Sequence, residues 1–184
     1  MRICPVTLPE PPAALPALAS LRDQITALAE GDPREVRAGH LDLGPDLWLS
    51  CDPAGRARMR LAGGSGGLAF ELAEADSGGW ACLGMRLQAQ ELQQARHAGL
   101  RLALHSGGMI SCRLALRFFL PEGGFRDIHP PAPVLVPPSQ REVLLHVPCD
   151  PGLAARATAC ELNLFLLDDS LHAENLQIEP LLML

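Results

Sequence analysis

Residues 111–118 read S-C-R-L-A-L-R-F, with Cys112, Leu114, Leu116 and Phe118 at one parity and Ser111, Arg113, Ala115 and Arg117 at the other. A helix repeats every 3.6 residues or so, and strict alternation would scatter these apolar side chains around it. A strand sends successive side chains to opposite faces, so the same run acquires one dry face and one wet face. The pattern recurs at 56–61 (R-A-R-M-R-L), at Leu68, Phe70 and Leu72, from Trp80 to Gln88, at 100–105 (L-R-L-A-L-H), at Val143, Leu145 and Val147, and at 160–166 (C-E-L-N-L-F-L).

Shorter runs complete the set: Leu41 with Leu43, Leu47 with Leu49 and Cys51, one short strand at 133–136, and Leu176 with Ile178 leading toward Met183. Turn signals separate them, among them Gly44-Pro45-Asp46, Asp52-Pro53-Ala54-Gly55, the glycine cluster at 63–67 and Asp168-Asp169-Ser170. The runs at 100–105 and 111–120, joined through Ser106-Gly107-Gly108, are expected to be a paired set. Nine or ten strands joined by Gly/Pro turns, without regularly interspersed helices, predict an all-β sandwich or barrel. Residues 89–97 are expected to form a short crossover helix or turn. The one clear helix is expected over 18–30, where Leu18, Leu21, Ile25 and Leu28 recur at spacings of three and four, with Ser20 as its cap and Gly31 as its stop. The division that follows is a Pro-rich lead-in and helix at 1–37 and the β domain at 38–184.

Composition removes several functions. With 15 basic and 21 acidic residues the net charge is −6, which argues against nucleic acid as partner. All the basic residues are Arg; without Lys there is neither a Schiff-base lysine nor a Walker-type phosphate loop. Missing Lys and Tyr, with abundant Ala, Gly, Pro and Leu, is the signature of a GC-rich genome. The middle third is basic, with eight Arg against four acids over 53–118, and complementary charges on neighbouring strands are the expected reason. No apolar run reaches the roughly 18 residues of a membrane helix, and no signal-peptide pattern is seen, so a cytoplasmic protein with no membrane partner is expected. The six cysteines form no C-x-x-C pair, and reduced thiols are expected. No cofactor is implied. Asp127 and His129 form a D-x-H pair, but no third ligand lies nearby in the sequence, so no metal is expected.

Taken in order, several segments resemble a known superfamily. They are the Trp-opened strand W-A-C-L-G-M-R-L at 80–87, the runs at 99–106 and 111–120, the G-G-F-R-D loop at 123–127, the strand ending H-V-P at 146–148, E-L-N-L-F-L at 161–166 and E-N-L-Q-I-E at 174–179. Over 38–184 this rhythm is similar to the galactose-binding-like jelly rolls, which include many carbohydrate-binding modules. The resemblance implies an antiparallel two-sheet jelly-roll sandwich and a carbohydrate or other polar ligand. It carries over no site residue.

The candidate ligand-binding residues are therefore read from the wet faces. Trp80 with Arg86 offers a stacking platform beside a guanidinium; the reading favoured for Trp80 is burial against a loop or the helix. Trp48 is the other large platform. Arg101, His105, Arg113, Arg117, Glu161 and Asn163 make a polar groove if their strands share a sheet, and an ordinary solvated face otherwise, which is the favoured reading. Exposed Phe119 and Phe165 would speak for a protein contact. No G-x-S-x-G elbow and no catalytic constellation is present. The function expected is a non-catalytic binding module, with a structural or protein-interaction domain, including a homo-oligomer, as the alternative.

Overall fold

The structure is a computed structural model that describes residues 16–64, 66–75 and 79–184. Helix α1 (Pro16–Glu30) opens it. Strands β1 (Arg34–Arg37), β2 (Gly39–Gly44), β3 (Leu47–Cys51), β4 (Arg58–Gly64), β5 (Gly67–Ala73) and β6 (Ala81–Leu87) follow. Then come α2 (Ala89–Leu92), β7 (His97–Ser106), β8 (Ile110–Phe119), β9 (Phe125–Ile128), β10 (Val134–Val136) and β11 (Glu142–Pro148). Helix α3 (Pro151–Arg156), β12 (Ala159–Leu166) and β13 (Leu171–Met183) end the chain.

These strands form two antiparallel sheets. One runs β1-β4-β5-β13-β7-β11, the other β10-β8-β12-β6-β3-β2, with β9 also paired to β8. From β5 to β8, and again from β11 to β13, the chain changes sheet at each step. That weave is a jelly-roll sandwich, the plan the resemblance implied. The alternation drives it: each strand sends one parity inward, and the inward side chains of both sheets meet in a single core that includes Met59, Leu72, Met85, Leu100, Leu116, Phe118 and Leu162.

Helix α1 belongs to the same core, through Leu18, Leu21, Ile25 and Leu28. Its Gln24 ties the helix to the turn after β2, accepting a hydrogen bond from Asp46 N–H at 3.1 Å. Ser20 is not the cap; it lies inside the helix and receives Gln24 Nε2 at 3.2 Å. Strand β1, within the segment read as lead-in, pairs with β4.

Three further expectations are corrected. The runs at 100–105 and 111–120 do not pair: β7 pairs with β13 and β11, and β8 with β12, so Gly107-Gly108 carries the chain from one sheet to the other. Strand β9, expected to be loop, pairs with the outer end of β8. Helix α3 was not anticipated, although its start is written at Asp150-Pro151. Asp150 accepts from the N–H groups of Gly152 and Leu153 at 2.9 and 3.0 Å, and proline occupies the first turn.

The basic middle of the chain is met by acids on adjacent strands. Arg58 bonds Glu71 at 3.2 Å, and Arg101 bonds Glu142 at 2.7 Å and Glu179 at 3.2 Å. The described cysteines, Cys51, Cys82, Cys112, Cys149 and Cys160, are free thiols; Cys4 lies outside the described residues.

Candidate functional site

The outer face of the second sheet carries the polar parity of six strands, and their register arranges it in rows. Ser50, Cys82, Phe165 and Arg113 lie side by side across β3, β6, β12 and β8. The next row holds Asp42, Trp48, Gly84, Asn163 and Ala115. The third holds Arg86, Glu161, Arg117 and Asp127, the last from β9. A groove of about 480 Å³ lies over these rows.

Trp48 makes the floor. Its indole lies over Gly84, with Nε1 and Cε2 in the space where a Cβ would stand, and only 7% of the residue is exposed. The His40 ring lies 6.1 Å away at 34° and is held by Asp42 Oδ1 at 3.0 Å from its Nε2. Beside Trp48 on the floor is Asn163, 3% exposed. Its one contact is a weak one, the Cys82 thiol at 4.0 Å from its Oδ1. The Asn163 amide nitrogen therefore donates to nothing among the described residues.

Burial pushes the Cys82 thiol up to about 12, and the thiol of Cys51 adds to the rise. The group stays neutral at ordinary pH and is a poor nucleophile. In the folded protein, Cys82 is expected to resist iodoacetamide at pH 8 and to be alkylated once denaturant is added. Peptide mass mapping reads the difference, and rapid alkylation of native Cys82 would contradict this picture of the floor.

The walls differ along the groove. Trp80, just ahead of β6, is 41% exposed, so the burial favoured from the sequence is overturned. At the other end Arg117 makes a two-pronged bond to Asp127, 2.8 Å from Nε and 2.7 Å from Nη2. Its guanidinium also sits 3.8 Å from the centre of the Phe125 ring. The hydrogen bonds to Asp127 raise the Arg117 pKa above its usual value. Between these ends Arg86 and Glu161 face each other across β6 and β12, and Arg86 forms no side-chain bond among the described residues.

Of the residues singled out from sequence, Trp80, Arg86, Arg117, Glu161 and Asn163 line one groove. Arg113 shares the sheet face but lies outside that lining. Arg101 and His105 do not join it: both are on β7, in the opposite sheet, where Arg101 is engaged by Glu142 and Glu179. Phe165 lines the groove and Phe119 packs against Phe125 at 6.3 Å, and neither is among the exposed large apolar residues. Asp127 is taken by Arg117, and His129 Nδ1 lies 2.9 Å from the Pro130 carbonyl oxygen. Sequence reading missed His40, Asp42, Ser50, Cys82 and Phe125. Alternation in 47–51 and 80–88 would have offered Ser50 and Cys82; Phe125 needed the unexpected strand β9.

No family model matches the chain, and no curated protein sequence matches it. Solved structures similar to it include the family 22 carbohydrate-binding module of Clostridium thermocellum Xyn10B, at 14% identity over 73% of this chain and 83% of that one, TM-score 0.47. The xylan-binding CBM22-1 domain of Paenibacillus barcinonensis Xyn10C is similar at 8% identity over 82% of this chain and 95% of that one, TM-score 0.45. The enzymatically active domain of tailspike protein 4 of bacteriophage CBA120 is similar at 13% identity and TM-score 0.45, over 74% of this chain; the chain spans 20% of that tailspike structure. Likenesses this distant carry no ligand with them, and the functional reading stands on the groove.

Proposed function

We propose that the chain is a non-catalytic binding module whose groove takes a neutral carbohydrate. The observation that carries this reading is Asn163, a largely buried residue on the floor of an open groove whose amide N–H donates to nothing among the described residues. That amide nitrogen still reaches the open space of the groove, and a sugar hydroxyl is a suitable acceptor for it. The exposed Trp80 indole offers a flat surface for the CH face of a sugar ring. Arg86 and Glu161 supply a donor and an acceptor within the same row, and their charges offset. The Arg117 charge is already met by Asp127, so the groove has little cause to select an anion. Asp42 and Asp127 are engaged by His40 and Arg117, which leaves Glu161 as the one groove carboxylate unengaged among the described residues, whereas glycoside hydrolysis uses a pair.

A glycan array followed by titration calorimetry on the best neutral oligosaccharide tests the reading. Trp80→Ala and Asn163→Ala are each expected to weaken binding at least about tenfold, equivalent to about 1.4 kcal/mol. Trp80→Ala should leave thermal unfolding unchanged. Silence across the array, or full affinity in both variants, removes the proposal.

A further inference from the structure

We propose that β11 is the contact strand of a homodimer, in which two copies join edge to edge and their six-stranded sheets become one. Among the described residues, strand β11 ends its sheet and pairs only with β7. The β7–β11 ladder is bracketed by Leu104 N–H to Arg141 O at 3.0 Å and Cys149 N–H to Arg96 O at 2.9 Å. Antiparallel bonding alternates, so Val143, Leu145 and Val147 turn their N–H and C=O groups toward β7. Glu142, Leu144, His146 and Pro148 turn theirs away, toward an open edge. Edges are commonly guarded by bulges, by a very short strand, by charge or by proline; here Glu142 and Pro148 stand at the two ends of the strand, and its middle carries no such guard. This one is seven residues long and in unbroken register, and it exposes Leu144 at 50%.

The edge is complementary to itself. Two β11 strands meeting antiparallel, with Leu145 on the twofold axis, set Leu144 opposite His146 of the second copy. Each of these residues gives its N–H to the other and takes one in return. Glu142 then falls opposite Pro148 of the second copy. Proline has no N–H to offer the Glu142 carbonyl, and that carbonyl is already satisfied by Gln140 Nε2 at 2.9 Å. The Glu142 N–H is free to donate to the Pro148 carbonyl of the second copy. The one missing donor on the edge thus meets the one acceptor that has no need of it.

Charge agrees with the same register. No like charges stand opposite each other. The Glu142 carboxylate becomes the diagonal neighbour of His146 of the second copy, within reach of long side chains. Along this edge runs an apolar groove of about 470 Å³, floored by Leu114 and Leu145 and rimmed by Pro130 and Pro131, whose surface adds to the contact. The contact lies away from the groove proposed for carbohydrate and does not depend on it.

Sedimentation velocity on the full chain tests the proposal. The expected result is a dimer of 19.7 kDa chains at micromolar concentration. Leu144→Pro removes an N–H that the monomer does not use, and proline is tolerated at edge positions of this kind. That variant is expected to sediment as a monomer with an unchanged circular-dichroism melt. Should it fail to fold, Leu144→Lys puts a charge on the same edge and is expected to give the folded monomer. A monomeric wild-type protein overturns the proposal, as does a dimer that survives in the folded variant.

Discussion

Replacing Gly84 by Val is expected to destabilise the fold by about 3 kcal/mol, at the upper end for overpacking a well-filled site. Gly84 stands midway along β6, between Trp48 on β3 and Asn163 on β12. Glycine normally weakens a strand, and here its conformational freedom is not used: its φ is not in the left-handed region. What matters is the missing Cβ, whose place is filled by the Trp48 indole. A branched side chain there cannot coexist with the present Trp48 rotamer. The indole must rotate off the sheet, losing its packing and opening the floor beside Asn163. Thermal unfolding should fall by roughly 6–12 °C, at about 2–4 °C per kcal/mol for a chain of this size. Trp80→Phe leaves Trp48 as the only tryptophan, so fluorescence in that background reports on the floor alone. A red shift of the native emission on adding Gly84→Val is the expected sign that Trp48 has moved into water. An unchanged spectrum and melt would mean that the indole does not need Gly84.

The same pair of residues shows where reading the chain reaches its limit. Alternation reports which side of a sheet a residue faces, because it depends on neighbours one and two positions away. Leu162 and Leu164 went inward and Glu161 and Asn163 outward as the pattern requires. Alternation does not report which strands are neighbours. Gly107-Gly108 serves equally as a hairpin turn or as a step between sheets, and the chain takes the step. Arg101 and His105 were misplaced for that reason alone: their outward parity was read correctly and their sheet was not. Strand β9 has almost no apolar pattern, being exposed at three of its four positions, and it exists through its pairing with β8. Its contribution to the groove, the Asp127 carboxylate and the Phe125 ring against Arg117, was invisible for the same cause. Trp48 was seen as a large ring, but its role as a floor depends on a glycine 36 residues away in sequence and adjacent in register.

Replacing Phe118 by Ala is expected to cost about 4 kcal/mol, within the range for deleting a fully buried aromatic side chain. Phe118 has no exposed surface and is among the largest wholly buried side chains. It stands on β8 opposite Cys160 of β12 and Arg126 of β9, pointing into the core. Its neighbour Arg117 points the other way, into the groove. The void left by the ring lies directly beneath the strand that holds Arg117 against Asp127 and Phe125. Surrounding leucines can relax into it only in part, since they already pack from both sheets. Unfolding should move down by roughly 8–16 °C. Phe118→Leu restores most of the volume and is expected to recover more than half of the loss. If the ring serves only as filler, both variants differ from wild type in stability alone. If it also supports β8, Phe118→Ala speeds amide exchange in β9, the strand with the least apolar anchoring of its own, while β11 in the opposite sheet keeps its protection. Equal loosening of both strands would show that β9 gains nothing local from the residue beneath it.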